Sequence, residues 1–432
     1  GDVCGAGEAE TGKLVFDGSL KGPLAAPTVR GHLDAAALRS RDSSLDRIEA
    51  SLGIDPKGEP SAQRFAVTAD GRIDGLTLSD PALRRAIGSR ATVTLRASAG
   101  ADGVVDVAAL KLDSDTARAA YAGRVGQNTL TGTLDAALPD LSVFSGLAGQ
   151  GLAGSLDAKA RLSGDPARKA VAADLAVTTS GLVTGIRAAD RALGRAPSLQ
   201  GRVSQTFDGY GFDHLRLEGS GVTATLQGEA TTTRADVAGR VDLKSLADLD
   251  GRLTGRAGVD ARLTGSLEHP DVTATLTAPA ATAAGKPIRD LRVEAVLRDA
   301  LLAPDGTVRL GGDVGGKALT GGAHLARVGP DWVLDRLGLD LGSVSVAGQA
   351  TVAADTWLSA GALTVRAGDL TDIAPLVPEP VSGRLDAALT LARDGGRQDV
   401  TVRATGAGLR YGDTALARLD ADLSGRDLRA HP

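Results

Sequence analysis

Apolar and polar residues alternate along short stretches of this chain, and this period of two predicts β-strands. In the stretch 256–264 every second residue is small or apolar, and most of the residues between them are charged or hydroxylated. Strands with one apolar and one polar face are typical of antiparallel sheets, whereas the strands of a doubly wound parallel sheet are apolar throughout. The same alternation recurs at 215–217, 222–226, 237–243, 272–277, 344–346 and 400–403.

Turn signals separate these stretches, and helical signals are few. Asp-Gly pairs, which suit the positive φ angles of tight hairpins, occur at several positions from Asp70-Gly71 to Asp394-Gly395. A capping Asp80, then Pro81 and an apolar stripe, predict one short helix near 80–88, and 186–194 predicts a second. The stretch 44–52 fits either a helix or a bulged strand. The pattern predicts an all-β fold: a long, mainly antiparallel sheet of many short strands with one or two short helices.

Two short motifs recur about a hundred residues apart. The segment Ala160–Gly164 returns 101 residues later as Ala261–Gly265, and Arg85–Gly88 returns 106 residues later as Arg191–Gly194. Self-similarity at a fixed period indicates a structural unit that is copied along an axis. Since no linker interrupts the alternation, we predict one continuous elongated β-repeat region over residues 1–432, without independent globular domains. Its repeat units would measure roughly 100 residues, at about 80–180, 186–280 and 281–432.

The composition limits the kind of core that the chain can form and the partners that it can bind. Apolar residues make up 42 % of the chain, but aromatic residues only 2 %, and Met is absent. Such a chain can form a long apolar strip of Ala, Val and Leu but has few large side chains for a thick core. The net charge of −5 indicates no nucleic-acid partner, and the single Cys4 excludes an intrachain disulfide framework. The missing Met and signal peptide predict an internal or processed piece of a larger protein.

Candidate catalytic motifs fail on their context. Gly7–Lys13 has the spacing of a phosphate-binding loop, but Leu14 stands where a Ser or Thr is needed to hold magnesium. The five His residues have no His or Cys neighbour at ligand spacing; they are His32, His214, His269, His324 and His431. We therefore predict that the chain is not an enzyme and has neither a cofactor nor a metal site. The alternative of a hydrolase on a β-scaffold would require a nucleophile and a base at suitable spacing, and the sequence contains no such arrangement.

Three segments share a Gly-x-Leu-Asp-Ala phrase or a close variant, followed by apolar alternation. They are Gly154–Ala158, Gly255–Ala261 and Gly383–Ala387, and a similar run spans Gly18–Leu33. This phrasing resembles the TamB family and its AsmA-like relatives among the bridge-like lipid transfer proteins. The resemblance extends over nearly the whole chain, and it identifies the sequence as an internal fragment of the periplasmic β-repeat region of that family.

The resemblance implies a fold, a location and partners. Family members form a tall, curled sheet, a "β-taco" with an apolar concave face that acts as an open groove. They reside in the periplasm of Gram-negative bacteria, anchored to the inner membrane, and are implicated in moving phospholipid between the two membranes and in outer-membrane biogenesis and protein assembly. Their partner is an outer-membrane BamA-like barrel of the TamA type, bound through parts that this sequence lacks. The resemblance assigns a function to no individual residue of this chain.

The alternation and the resemblance together predict a groove that shields phospholipid acyl chains. An apolar face repeated over many strands must be covered by a second sheet, by its own curl or by a ligand, and acyl chains would gain about 25 cal/mol per Å² of apolar area buried. The alternative is a structural or adhesive β-solenoid, on a cell surface or secreted, with a closed, dry core. The predicted groove-lining residues are Leu215, Leu217, Val222, Ala224, Leu226, Ala257, Val259, Ala261, Leu263, Val272, Ala274, Leu276, Val344 and Val346.

Overall fold

The chain is all-β, as the alternation predicts. The computed structural model describes residues 12–23, 26–40, 43–57, 64–283, 285–377, 379–394 and 396–428, except for the side chains of residues 40, 375, 394, 427 and 428. About 70 % of the chain is strand and 9 % helical, and the strands pair in antiparallel fashion. The chain divides into two compact units, Gly1–Gly221 and Val222–Pro432. The three predicted repeat lengths remain a prediction.

The first unit contains the strands β1 to β13. Their bounds are β1 Lys13–Lys21, β2 Thr28–Ser40, β3 Ser43–Pro56, β4 Phe65–Asp74, β5 Thr77–Leu78, β6 Ala91–Ala99, β7 Val105–Ser114, β8 Arg118–Gly126, β9 Thr129–Leu138, β10 Ala153–Asp165, β11 Ala170–Val183, β12 Ser198–Gln205 and β13 Gly209–Glu218. The ambiguous stretch 44–52 lies within β3 and is therefore strand.

The second unit contains the strands β14 to β27. Their bounds are β14 Val222–Thr231, β15 Ala235–Leu243, β16 Leu253–Gly255, β17 Ala257–Gly265, β18 Pro270–Ala283, β19 Lys286–Arg298, β20 Asp305–Val314, β21 Lys317–Val328, β22 Asp331–Leu341, β23 Val344–Ala353, β24 Ser359–Ala367, β25 Val381–Asp394, β26 Arg397–Tyr411 and β27 Thr414–Leu428.

Three short α-helices interrupt the strands of the first unit: α1 Pro81–Ile87, α2 Ser145–Ala148 and α3 Arg187–Leu193. Helices α1 and α3 confirm the two sequence predictions, whereas α2 was not predicted. Short 3-10 turns span Leu141–Phe144, Pro166–Arg168, Leu246–Asp248 and Leu370–Leu376.

The recurring motif at 85–88 and 191–194 is the end of a helix. Gly88 and Gly194 terminate α1 and α3 with φ angles of 81° and 71°, a region that favours glycine. A Cβ atom at Gly194 would lie 2.4 Å from the Ser220 hydroxyl oxygen. The alanine of each motif, Ala86 or Ala192, is the buried residue of its helix. The motif recurs because each helix needs the same buried contact and the same stop.

Each unit is a meander in which each long strand pairs with the next long strand along the chain. The short strands β5 and β16 pair with β3 and β18, so that β4 pairs with β6 and β15 with β17. Successive connections alternate between two edges of the sheet, because neighbouring strands run in opposite directions. All three α-helices fall at one edge of the first unit, which we call its insert edge, in the connections 75–90, 139–152 and 184–197. The insert edge of the second unit has the connections 244–256 and 368–380.

Candidate functional site

The strand registers of the second unit align one apolar row across thirteen strands. Residues opposite each other in an antiparallel pair point to the same face of the sheet. Followed from strand to strand, the register therefore shows which side chains share a face, although their strands are far apart in sequence. The row consists of Ala224, Val241, Val259, Leu276, Val293, Leu310, Gly321, Leu339, Val346, Val365, Ala387, Ala404 and Ala421.

The first unit has a corresponding row across twelve strands. Like the row of the second unit, it contains only apolar side chains and glycine, and it continues across hairpins of unequal length. Each unit thus presents an apolar face along its whole sheet. The row consists of Phe16, Leu33, Ala50, Gly71, Val93, Leu112, Ala119, Ala136, Ala158, Val177, Leu199 and Leu217.

These apolar faces are largely uncovered. The residues of both rows are partly or fully exposed, with Phe16 71 % exposed, and no large side chain in the described residues is fully buried. In the described part of the chain, the elements that pack together are neighbouring strands and the segments at the insert edge, so the apolar surface along the rows remains available to a ligand.

The predicted lining residues of the second unit share this one face. Ala224, Val259, Leu276 and Val346 lie in the row itself, and the others occupy alternate positions of the same strands. Eleven of the fourteen predicted residues are partly exposed, and two of these, Leu215 and Leu217, belong to the first unit. Leu215 lies next to a β-bulge at Gly201. The remaining three, which lie toward the insert edge, are only 7 % exposed and offer little surface to a ligand; they are Val222, Ala257 and Val344.

The sequence prediction missed a cleft on the apolar face of the first unit. This cleft has a volume of about 570 Å³, and among the residues that line it are Phe16, Leu20, Leu33, Leu52 and Val93. The alternation of Gly18–Leu33 hinted at a strand there, but only the pairing of β1 to β6 brings these side chains together. Its apolar side chains come from the five strands β1, β2, β3, β4 and β6.

The opposite face of each sheet is polar, and its charges pair with each other across strands. In the second unit Arg262 contacts Asp236 at 2.7 Å, and Arg240 contacts Asp260 at 3.2 Å. The hydrogen bond from Arg262 lowers the pKa of Asp236 below its ordinary value. Because both partners are exposed to water, which screens their attraction, such a pair contributes little to the stability of the fold. The residues that line a cleft of about 480 Å³ on this face include Arg240, Asp260, Arg262 and three threonines, so the cleft suits water better than an acyl chain.

Inserted segments cover the apolar face at the insert edge. In the second unit Leu370 is 6 % exposed and packs with Val344 and Ala367, and Ile373 and Leu385 contact this cluster. In the first unit the Thr116 hydroxyl donates a hydrogen bond of 2.8 Å to the Ala86 carbonyl oxygen, and α1 contacts α2 although strands β6 to β9 separate them along the sheet. The insert edge is therefore partly closed, and the apolar face is accessible beyond it.

Asp372 fastens the 3-10 turn 370–376 to the sheet. Its carboxylate accepts hydrogen bonds from the backbone N–H of Ser343 at 2.6 Å and from Lys317 Nζ at 2.7 Å. The hydrogen bond from Lys317, followed by those from Ser343, lowers the pKa of Asp372 from 3.8 to about 2. A carboxyl group with a depressed pKa stabilises the folded state above its unfolded pKa, and this contribution disappears as the pH falls toward the folded value.

We expect Asp372→Asn to loosen this turn at neutral pH, because the amide loses the ion pair with Lys317. Amide hydrogen exchange at Ser343 and across 370–376 should accelerate on the order of tenfold. In the unchanged protein, the exchange of these amides relative to their intrinsic rates at each pH should rise as the pH falls from about 4 to about 2, and in the variant this ratio should change little. Equal exchange in both proteins at neutral pH would contradict this role of Asp372.

The part of the chain that the structure describes contains no metal site. No group of three His, Cys, Asp or Glu side chains there is arranged to hold a metal ion. His324 lies on the polar face between two carboxylates, with Nε2 3.2 Å from Asp305 and Nδ1 3.2 Å from Asp335, a grouping that sequence spacing did not reveal. Cys4 and His431 lie outside the described residues, as does most of the loop-like segment 7–13; its Lys13 begins β1.

Among the described residues, no helix has the length and apolar character needed to cross a membrane. Comparison with known proteins leaves the family open: no family model matches the chain, and no curated protein matches it.

Proposed function

We propose that this chain is a segment of a periplasmic lipid conduit, in which the apolar face of the sheet shields phospholipid acyl chains. The observation that carries the proposal is the unbroken apolar row on each unit, together with its exposure. Water-exposed apolar surface of this extent is unfavourable unless something covers it. Acyl chains fit because they need apolar contact only, and neither row offers a hydrogen-bonding group that would fix one specific ligand.

The uniformity of the rows supports transport rather than storage. Successive strands lie about 4.8 Å apart, so a chain on the row meets a similar Val, Leu or Ala surface at each step. A ligand bound with nearly equal free energy at neighbouring positions can move between them without a deep trap. The proposed role in passing phospholipid from the inner to the outer membrane, and the proposed contact of other parts of the protein with an outer-membrane barrel, rest on the sequence resemblance.

The rival proposal, a β-solenoid with a closed, dry core, requires the apolar side chains to pack against each other. The partial exposure of Val259, Leu263 and their neighbours favours the groove over that arrangement.

Photo-crosslinking tests the groove on matched neighbouring positions. We expect a photo-reactive residue at Leu263 to capture phospholipid in cells, and the same residue at Arg262 to capture little, because these neighbours lie on opposite faces. Native mass spectrometry with lipid extraction should find phospholipid bound to the purified protein. The proposal fails if no lipid co-purifies and the probe at Leu263 captures only protein.

A further inference from the structure

The insert edge of the first unit carries exposed arginines. Connections 75–90 and 184–197 contribute Arg84 and Arg85 in α1, Arg187 in α3, and Arg195 just after it, and all four are exposed. Arg84 Nε donates a hydrogen bond to the Leu78 carbonyl oxygen, and Arg85 Nε to that of Pro81. These bonds orient the two guanidinium groups and leave further N–H donors on each of them. Two helices of the first unit thus present the same positive charge at one edge.

The carboxylates of the same edge are committed to the fold. Asp80 accepts a hydrogen bond of 2.7 Å from the Ala82 N–H at the start of α1. Asp190 accepts bonds from the N–H and the hydroxyl of Thr184, at 2.6 and 2.7 Å, and the N–H bond lowers its pKa most. Asp115 accepts from the N–H of Ser89 and pairs with Arg90. Among the described residues, Arg84, Arg85, Arg187 and Arg195 form no ion pair with a carboxylate.

Large apolar side chains stand beside these arginines. Leu83 and Ile87 in α1, Leu147 in α2 and Ile186 before α3 are each at least 40 % exposed. Helix α1 packs at the end of β7, because the hydroxyl of Thr116, just after that strand, donates a hydrogen bond to the Ala86 carbonyl oxygen. The first unit therefore joins an uncovered apolar face to an edge that combines exposed apolar and cationic side chains.

We propose that the arginines of this edge hold the anionic phosphate headgroups of lipids whose acyl chains lie on the apolar face of the first unit, with α1 and α3 contacting separate lipids because strands β6 to β11 lie between them. The inference rests on the proposed function and adds the charge class of the lipid. Guanidinium groups bind phosphate oxygens with paired, charge-assisted hydrogen bonds. A headgroup there stays in water at the edge while its acyl chains leave water, so the apolar and cationic surfaces act on one molecule. A zwitterionic headgroup gains less, because its own ammonium group repels the arginines.

The test compares two lipids of equal chain length on the full chain. We expect short-chain phosphatidylglycerol to bind about tenfold more tightly than phosphatidylcholine of the same acyl chains. The triple variant Arg84→Gln, Arg85→Gln, Arg187→Gln should remove this preference, because phosphatidylglycerol loses more affinity than phosphatidylcholine does. The matched control removes three cations from the opposite edge of the same unit, as Lys57→Gln, Arg64→Gln, Arg168→Gln, and should keep the preference.

Each other outcome has a distinct meaning. Equal binding of the two lipids to the unchanged protein, or an unaltered preference in the triple variant, overturns the headgroup site and leaves the acyl groove in place. Inorganic phosphate that competes with phosphatidylglycerol at similar concentration overturns it in favour of a free-anion site. If neither lipid binds, the proposed function itself fails. If the triple variant misfolds, the unchanged protein can be tested instead by raising the NaCl concentration from about 0.05 to about 0.5 M. The preference for phosphatidylglycerol over phosphatidylcholine should then fall. A preference that does not depend on salt overturns the proposal.

Discussion

Val259→Asp is expected to stop lipid contact with the apolar row of the second unit around β17. Val259 lies between Val241 and Leu276 in register and is partly exposed on the apolar face. An acyl chain that passes this point would have to remove water from an ionised carboxylate, at a cost of several kcal/mol. With a photo-reactive residue at Leu263, on the same face and strand, the yield of captured lipid should fall at least about tenfold.

The protein should stay folded in this variant, because Val259 is not enclosed and its new carboxylate can remain hydrated when no lipid is bound. Thr273→Asp is the matched control: it adds the same charge to the opposite face, where Thr273 stands across from Arg262 in register. Capture at Leu263 should persist in the control. A probe at Leu52 in the cleft of the first unit should report unchanged lipid contact in both variants. Unreduced capture at Leu263 in Val259→Asp would show that acyl chains do not use this row.

Local signals in the sequence were sufficient for the strands, their faces and two helices. Alternation assigned Val259, Ala261 and Leu263 to one face, and the pairing with β18 confirms that they share it with Val272, Ala274 and Leu276. The boundaries of α1 followed from Asp80, whose carboxylate caps the first turn, and from Gly88, which ends the last one. These features depend on residues within one or two turns of each other, so the sequence shows them directly.

Features that depend on distant residues could not be predicted. The cleft of the first unit requires β1 to β6 to pair in one register, and hairpin loops of unequal length between them hide that register. The four-residue helix α2 contains a glycine and has no side-chain cap at its start, so no local signal marked it. The anchoring of the turn 370–376 joins Asp372 to Lys317, more than fifty residues earlier. For the same reason, Val344 was predicted to line the groove although the turn covers it.

Leu370→Ala tests whether the turn 370–376 is a stable cover of the apolar face. The substitution should lower the local free energy of unfolding in the second unit by about 2–4 kcal/mol. Leu370 is 6 % exposed and packs with Val344 and Ala367, so truncation leaves a cavity in this cluster. Amide exchange across 341–385 should accelerate accordingly, and the lipid probe at a newly uncovered Val344 should begin to capture phospholipid. Leu376→Ala, at the other end of the same turn and 60 % exposed, should change neither. If the two variants behave alike, the turn does not pack as a cover, and the apolar face of the second unit extends to its insert edge.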